Sequence, residues 1–197
     1  MCRNITVSHN SIYNTPRAGI NISEGTWGGH IIEYNDIFNT VKETGDHGTI
    51  NSWGRDRFWH PNYNVMTQIT NEKPALILAD VVEPIIIRHN RLRCDRGWDI
   101  DLDDGSSNYQ IYNNLCLNGG IKLREGFYRT VENNIIVNNT LHPHLWFKNS
   151  GDVFSRNIVM TKYKPISVRG WGREVDYNIF ADSLAYLAAR QLGGDAH

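Results

Sequence analysis

Two segments of this 197-residue chain concentrate side chains able to do acid–base or ligand-binding chemistry. The first, "ETGDHGTINSWGRDRFWHPNYN" from Glu43 to Asn64, brings Asp46, His47, Trp53, Arg55, Asp56, Arg57, Trp59 and His60 into a short stretch. The second, "GWDIDLDDGSSN" from Gly97 to Asn108, carries Trp98, Asp101, Asp103 and Asp104, and is followed by "GGIKLREGFYR" with Lys122, Arg124 and Glu125. Aromatic rings beside carboxylates and guanidiniums suit a sugar site, where rings stack on pyranose faces and charged groups bond hydroxyls. On that chemistry Asp46, His47, Trp53, Arg55, Asp56, Trp59, Trp98, Asp101 and Arg124 are the candidate substrate-binding residues.

"IDLDDG" and "IKLREG" align at an offset of 21 residues, which sets Asp101 over Lys122, Asp103 over Arg124 and Asp104 over Glu125. If the two are adjacent parallel strands, they lie one strand spacing apart, about 4.8 Å. Carboxylates on neighbouring strands then approach the roughly 5 Å separation of retaining glycosidases, whereas inverting enzymes need about 6.5 to 9.5 Å. Two acids that close do not both ionise easily, so Glu125 is expected to be held protonated as general acid. An Asp near Lys122 and Arg124 stays ionised as nucleophile. Alternation favours Asp103 in that role and stacking favours Asp104. The competing roles are structural: "LDDG" suits a turn or a Ca²⁺ site, His47 suits a turn hydrogen bond, and Trp98 and Trp146 suit surface cover. His142 and His144 have no zinc-type spacing and read as loop residues.

Such residues need elements that repeat. An Asn followed closely by an aliphatic or aromatic residue recurs at Asn10, Asn35, Asn90, Asn113, Asn133, Asn157 and Asn178, at intervals of 25, 55, 23, 20, 24 and 21. All but one interval match a single coil of a solenoid, and the 55 fits two turns plus an insertion. Between these positions lies a short alternating strand ending in glycine: "INISEG", "IDLDDG" and "IKLREG", with "LWFKNSG" and "ISVRGWG" as looser copies. Period-2 alternation puts Ile100 and Leu102 on a core face and Asp99, Asp101 and Asp103 on a wet one. Stacked Asn side chains bonding the backbone of adjacent coils would explain 22 asparagines in one chain. Hairpin turn signals are scarce, which disfavours an antiparallel sandwich. The expected fold is all-β: a right-handed, single-stranded parallel β-helix of roughly eight coils over residues 1–182, with a tail of helical spacing over 183–197. Solenoid ends need caps, so further chain or association into a homo-oligomer is expected to cover them.

Composition narrows the classes. Twenty basic against 21 acidic side chains, a net charge of -1, disfavours a nucleic-acid partner. No apolar run approaches the length of a membrane-spanning helix. Three cysteines, Cys2, Cys94 and Cys116, lack metal spacing and read as structural thiols. The mean hydropathy of -0.46 fits a globular domain.

"DHGTINSWGRDRFW", "GWDIDLDDGSSNYQIYNN" and "GGIKLREGFYR" resemble segments of glycoside hydrolase family 120, the β-xylosidases built on a right-handed parallel β-helix of the pectate-lyase-like superfamily. The likeness runs from about Asn4 to Asp182. It implies a retaining, exo-acting enzyme that releases xylose from xylo-oligosaccharides, with a nucleophile in "DLDD", Asp103 or Asp104, and Glu125 as acid/base. No metal or cofactor is required by that chemistry, although a structural Ca²⁺ would suit the aspartates. Family members are longer, so the chain reads as a fragment. Two other readings use the same residues: a polysaccharide lyase employing Ca²⁺ with Arg124 or Lys122 as base, and a carbohydrate-binding solenoid without turnover.

Overall fold

A computed structural model describes residues 2–24, 27–139, 141–143, 147, 149–161 and 174–181. The expected tail, 183–197, and the positions of His144 and Trp146 lie outside the described residues. The described chain is mostly strands, arranged as three parallel sheets. Two sheets have seven strands each; the third has five, Ile20–Ile22, Gly48–Trp53, Trp98–Asp103, Ile121–Leu123 and Leu141–Pro143. Each strand pairs in parallel with its counterpart one repeat further along, so the chain is an all-β parallel solenoid. Its inward side chains, Ile37, Ile50, Ile87, Ile100, Ile111 and Ile121 among them, form one continuous apolar core.

Asparagine does what its abundance suggests, with a correction of one residue. The stacked column is Asn10, Asn35, Asn90, Asn114, Asn134, Asn157 and Asn178, not Asn113 and Asn133. In each step the Oδ1 of one Asn accepts the backbone N–H and the Nδ2–H of the Asn one coil earlier, at 2.9 to 3.1 Å. Each Nδ2 from Asn90 to Asn157 also donates to two backbone carbonyls. Asn113 and Asn133 hold the preceding position, where the seven turns of this kind among the described residues adopt left-handed backbone with φ between 53° and 58°: His9, Tyr34, His89, Asn113, Asn133, Arg156 and Tyr177. Such a turn costs a non-glycine residue about 1 kcal/mol, and the ladder bonds that follow it offset the strain. Asn114→Ala leaves the Asn90 N–H without its acceptor and takes a donor from the Ile87 and Tyr112 carbonyls. It is expected to lower stability by about 2 to 3 kcal/mol, read as a lower urea midpoint with an unchanged slope.

The 55-residue interval is a single coil, not two turns. Ile31–Glu33 pairs directly with the strand Ile85–Arg88, so the extra residues leave the solenoid after Trp53 and return at Ile85. The excursion includes the α-helix Tyr63–Glu72, capped by Asn62, whose side chain accepts from the N–H of Asn64 at 2.9 Å. A separate apolar cluster of Phe58, Met66, Ile77, Phe127 and Phe147 fastens this insertion to the solenoid. The Phe147 ring stacks between Tyr63 and Phe127 at 4.8 Å from each.

Candidate functional site

The third sheet brings the candidate residues of "DLDD" and "KLRE" together. Its register is the expected one: Ile100 opposite Ile121, Asp101 opposite Lys122 and Leu102 opposite Leu123. The pairing continues one residue further, because the Arg124 N–H donates to the Leu102 carbonyl at 2.9 Å. Beyond it the upper strand turns sharply. The Ser106 N–H returns to the Asp103 carbonyl at 3.0 Å, and the two central residues, Asp104 and Gly105, have φ of 38° and 84°. Positive φ at both centres is the requirement of a type I′ turn. Gly105 is obligatory there twice over, since a Cβ would also lie 2.6 Å from the Gly54 carbonyl oxygen. Asp104 is therefore a turn former and also a site residue.

Asp104 and Glu125 line one cleft of about 280 Å³ with Arg55, Arg124, Trp59 and, from the insertion, Pro61, Tyr63 and Met66. Arg124 is its centre. Its Nη1 lies 3.0 Å from Asp103 Oδ1 and 3.1 Å from Asp104 Oδ1, and its Nε lies 3.0 Å from Glu125 Oε2. That last contact is an ion pair without hydrogen-bond alignment, which leaves Glu125 Oε2 without a hydrogen-bond partner. The other oxygen, Oε1, accepts from Trp59 Nε1 at 3.1 Å. Arg55 donates through Nε to Asp104 Oδ2 at 2.6 Å and sits over the Trp59 ring, 5.3 Å from its centre. Burial pushes the Glu125 carboxyl above the ordinary glutamate range, against the pull of Arg124 and the Trp59 hydrogen bond.

A second charged cluster lies along the same strand. Asp101, Asp103 and Lys122 belong to the face that alternation marks as wet, yet all three are buried. Lys122 Nζ stands 3.1 Å from Asp46 Oδ1, 3.1 Å from Asp101 Oδ1 and 3.6 Å from Asp103 Oδ2. The ions compensate one another, and paired charge tolerates burial where lone charge does not. Burial pushes Asp101 up to about 7, with Lys122 opposing the shift and Asp103 adding to it. For Asp46, burial acts upward, but Lys122 and Arg124 together hold it below the ordinary range. Among the described residues no group of three or more His, Cys, Asp or Glu side chains is arranged to hold a metal. Around Lys122 an ammonium occupies the middle of the carboxylates.

Asp99 belongs to neither cluster. Its oxygens accept four backbone N–H groups, those of Cys94, Asn118, Gly119 and Gly120, at 2.7 to 3.1 Å, which shapes the turn entering the lower strand. Burial nevertheless raises its carboxyl to about 7.

The remaining candidates divide. His47 and Trp53 lie edge to face, and Arg17 joins them: its Nε donates to His47 Nε2 at 3.0 Å and its guanidinium covers Trp53 at 4.5 Å. Trp98 has Lys122 Nζ 5.8 Å from its ring centre and lines a separate groove with Asp46, Cys94, Asn118 and Asn138. Asp56 lies apart, lining a small void with Ser52, Ser106 and Tyr109. The cysteines are free thiols, Cys94 and Cys116 buried and Cys2 exposed.

Some contributors were not among the sequence candidates. Tyr63 and Met66 reach the cleft from the insertion helix, whose start is legible in Asn62 as a capping residue. Arg129, fully buried against Asp152, donates from Nη1 to the Arg124 carbonyl at 2.6 Å and fixes the backbone beneath the central guanidinium. No family model matches this chain, and neither does a curated protein or a solved structure.

Proposed function

We propose that the protein is a retaining glycoside hydrolase on a right-handed parallel β-helix, acting on β-linked xylosides, with Asp104 as nucleophile and Glu125 as general acid and base. The observation that carries this reading is the cleft that Asp104 and Glu125 line together, just past the ends of two neighbouring strands, with Arg124 touching both. Adjacent strands lie about 4.8 Å apart, a spacing that suits the roughly 5 Å carboxylate separation of retaining enzymes better than the roughly 6.5 to 9.5 Å of inverting ones. Arg55 and Arg124 each engage one oxygen of Asp104. Burial favours the protonated form of Glu125.

In this mechanism Asp104 attacks the anomeric carbon while Glu125 protonates the leaving oxygen. The carbon–oxygen bond to the leaving group breaks as the bond to Asp104 forms. Glu125, now ionised, then takes a proton from water, whose oxygen displaces Asp104 and frees the sugar. Trp59 holds Glu125 through its indole N–H and offers its ring to the edge of the same cleft.

The test is turnover of a panel of aryl β-glycosides, with NMR of the first-formed sugar. Release of β-xylose as the initial anomer is the expected result. Initial α-xylose, an unsaturated product absorbing in the ultraviolet, or sugar binding without turnover would each overturn the assignment. The pH profile supplies a further expectation. Glu125 must be protonated to act as acid and its pKa is raised, so kcat/KM should fall with increasing pH through a limb above the usual glutamate range. In Glu125→Gln that limb should vanish, because the titrating group is gone.

A further inference from the structure

Displacement at a sugar carbon does not call for a buried lysine, yet Lys122 is only 1% exposed on the strand next to Asp101. Sinking an ammonium costs several kcal/mol unless nearby charge returns it. Here Asp101, Asp103 and Asp46 more than offset the effect of burial and hold Lys122 above the ordinary lysine range. Asp103 is the shared member: one oxygen faces Lys122 at 3.6 Å and the other faces Arg124 at 3.0 Å. A continuous line of alternating charge thus runs from Lys122 through Asp103 to Arg124, and from Arg124 to Asp104 and Glu125. Lys122 Nζ donates to Asp46 Oδ1 at 3.1 Å and to Asp101 Oδ2 at 3.4 Å, separations that suit N–H donors, whereas Ca²⁺ draws its ligands in to about 2.4 Å. The cradle is shaped for an ammonium.

We propose that Lys122 is a positioning residue for the hydrolysis: a fixed internal cation that holds Asp101 and Asp103 in place and, through Asp103, sets the Arg124 guanidinium between Asp104 and Glu125. This rests on the glycosidase reading of the cleft. Without the ammonium, Asp101, which burial already pushes up to about 7, takes a proton, and Asp103 is left with Arg124 as its remaining strong cation. The guanidinium is then drawn toward the sheet and away from the reacting pair. Lys122 touches no substrate in this scheme, so its loss should act on kcat and spare KM.

Two variants test it. Lys122→Met keeps the length of the side chain and removes the charge; its kcat on an aryl β-xyloside should fall by about a hundredfold with KM within about threefold of the parent. Lys122→Ala leaves a hole with an opening beside the exposed Asp46 side chain. Ethylammonium should raise its Tm and restore part of its kcat, whereas tetramethylammonium at the same ionic strength, lacking N–H donors, should do neither. If Lys122→Ala folds poorly, its refolding yield in the two salts gives the same comparison. Parental kcat in Lys122→Met, or equal Tm and yield in the two salts, would overturn the proposal. The salt comparison needs no turnover, so a parent protein that hydrolyses no glycoside sinks the glycosidase reading while the cation cradle is still tested.

Discussion

Asp104→Asn should reduce hydrolysis of an aryl β-xyloside by about four orders of magnitude or more, as loss of a covalent nucleophile does. Asp103→Asn should cost only about ten- to a hundredfold, the scale of a misplaced catalytic group. The two aspartates are adjacent in sequence and both buried, but their surroundings differ. Asp104 lines the cleft with Glu125, and its oxygens are held by Arg55 and Arg124. Asp103 is committed to the sheet, between Lys122 and Arg124. Kinetics of the two variants with a common substrate separate the roles, and an Asp103→Asn variant as inactive as Asp104→Asn would reverse the assignment. A side-chain amide at 104 accepts from Arg55 much as the carboxylate does, so the turn survives and folding should be near parental.

Asp152→Ala is expected to carry the largest loss of stability, about 3 to 5 kcal/mol, the usual cost of breaking a buried ion pair from one side. Asp152 Oδ1 accepts from both the backbone N–H and Nε of Arg129, at 2.8 and 3.0 Å, and both side chains are wholly buried. Removing the carboxylate strands a guanidinium that cannot shed its proton. Urea denaturation should show a lower midpoint, and a change below about 1 kcal/mol would mean that water or another acceptor reaches Arg129. The double variant Arg129→Met/Asp152→Leu should regain most of the stability, because apolar replacement of a buried pair is often neutral. It should not regain activity, since the Arg124 carbonyl then loses the Nη1 donor that holds it.

The sequence carried much of the frame on its own. Parallel stacking was legible because one coil places chemically similar residues at the same turn, so that Asn recurs near every return of the chain and the glycine-ended strands repeat at a fixed offset. The register of Asp101 over Lys122 follows from that repeat, and with it the neighbouring positions of Asp104 and Glu125. The column slipped by one at Asn113–Asn114 and Asn133–Asn134, because adjacent asparagines satisfy the same pattern. Only the hydrogen bonds distinguish the left-handed turn residue from the ladder residue.

What tertiary structure alone decided concerns burial and side-chain partners. Alternation assigns Asp101, Asp103 and Lys122 to an outward face, but period-2 arithmetic knows nothing of the compensating charges that let that face be buried. The 55-residue gap has no internal repeat to say whether it is two coils or one. Pairing of Ile31–Glu33 with Ile85–Arg88 makes it one, and the excess becomes a helix that brings Tyr63 and Met66 to the cleft. Sequence likewise leaves open which of Asp103 and Asp104 shares a cleft with Glu125. In the structure Asp104 lines that cleft while Asp103 stands between Lys122 and Arg124, an arrangement that depends on contacts between coils rather than on the order of residues within one, and the proposed role of Asp104 rests on it.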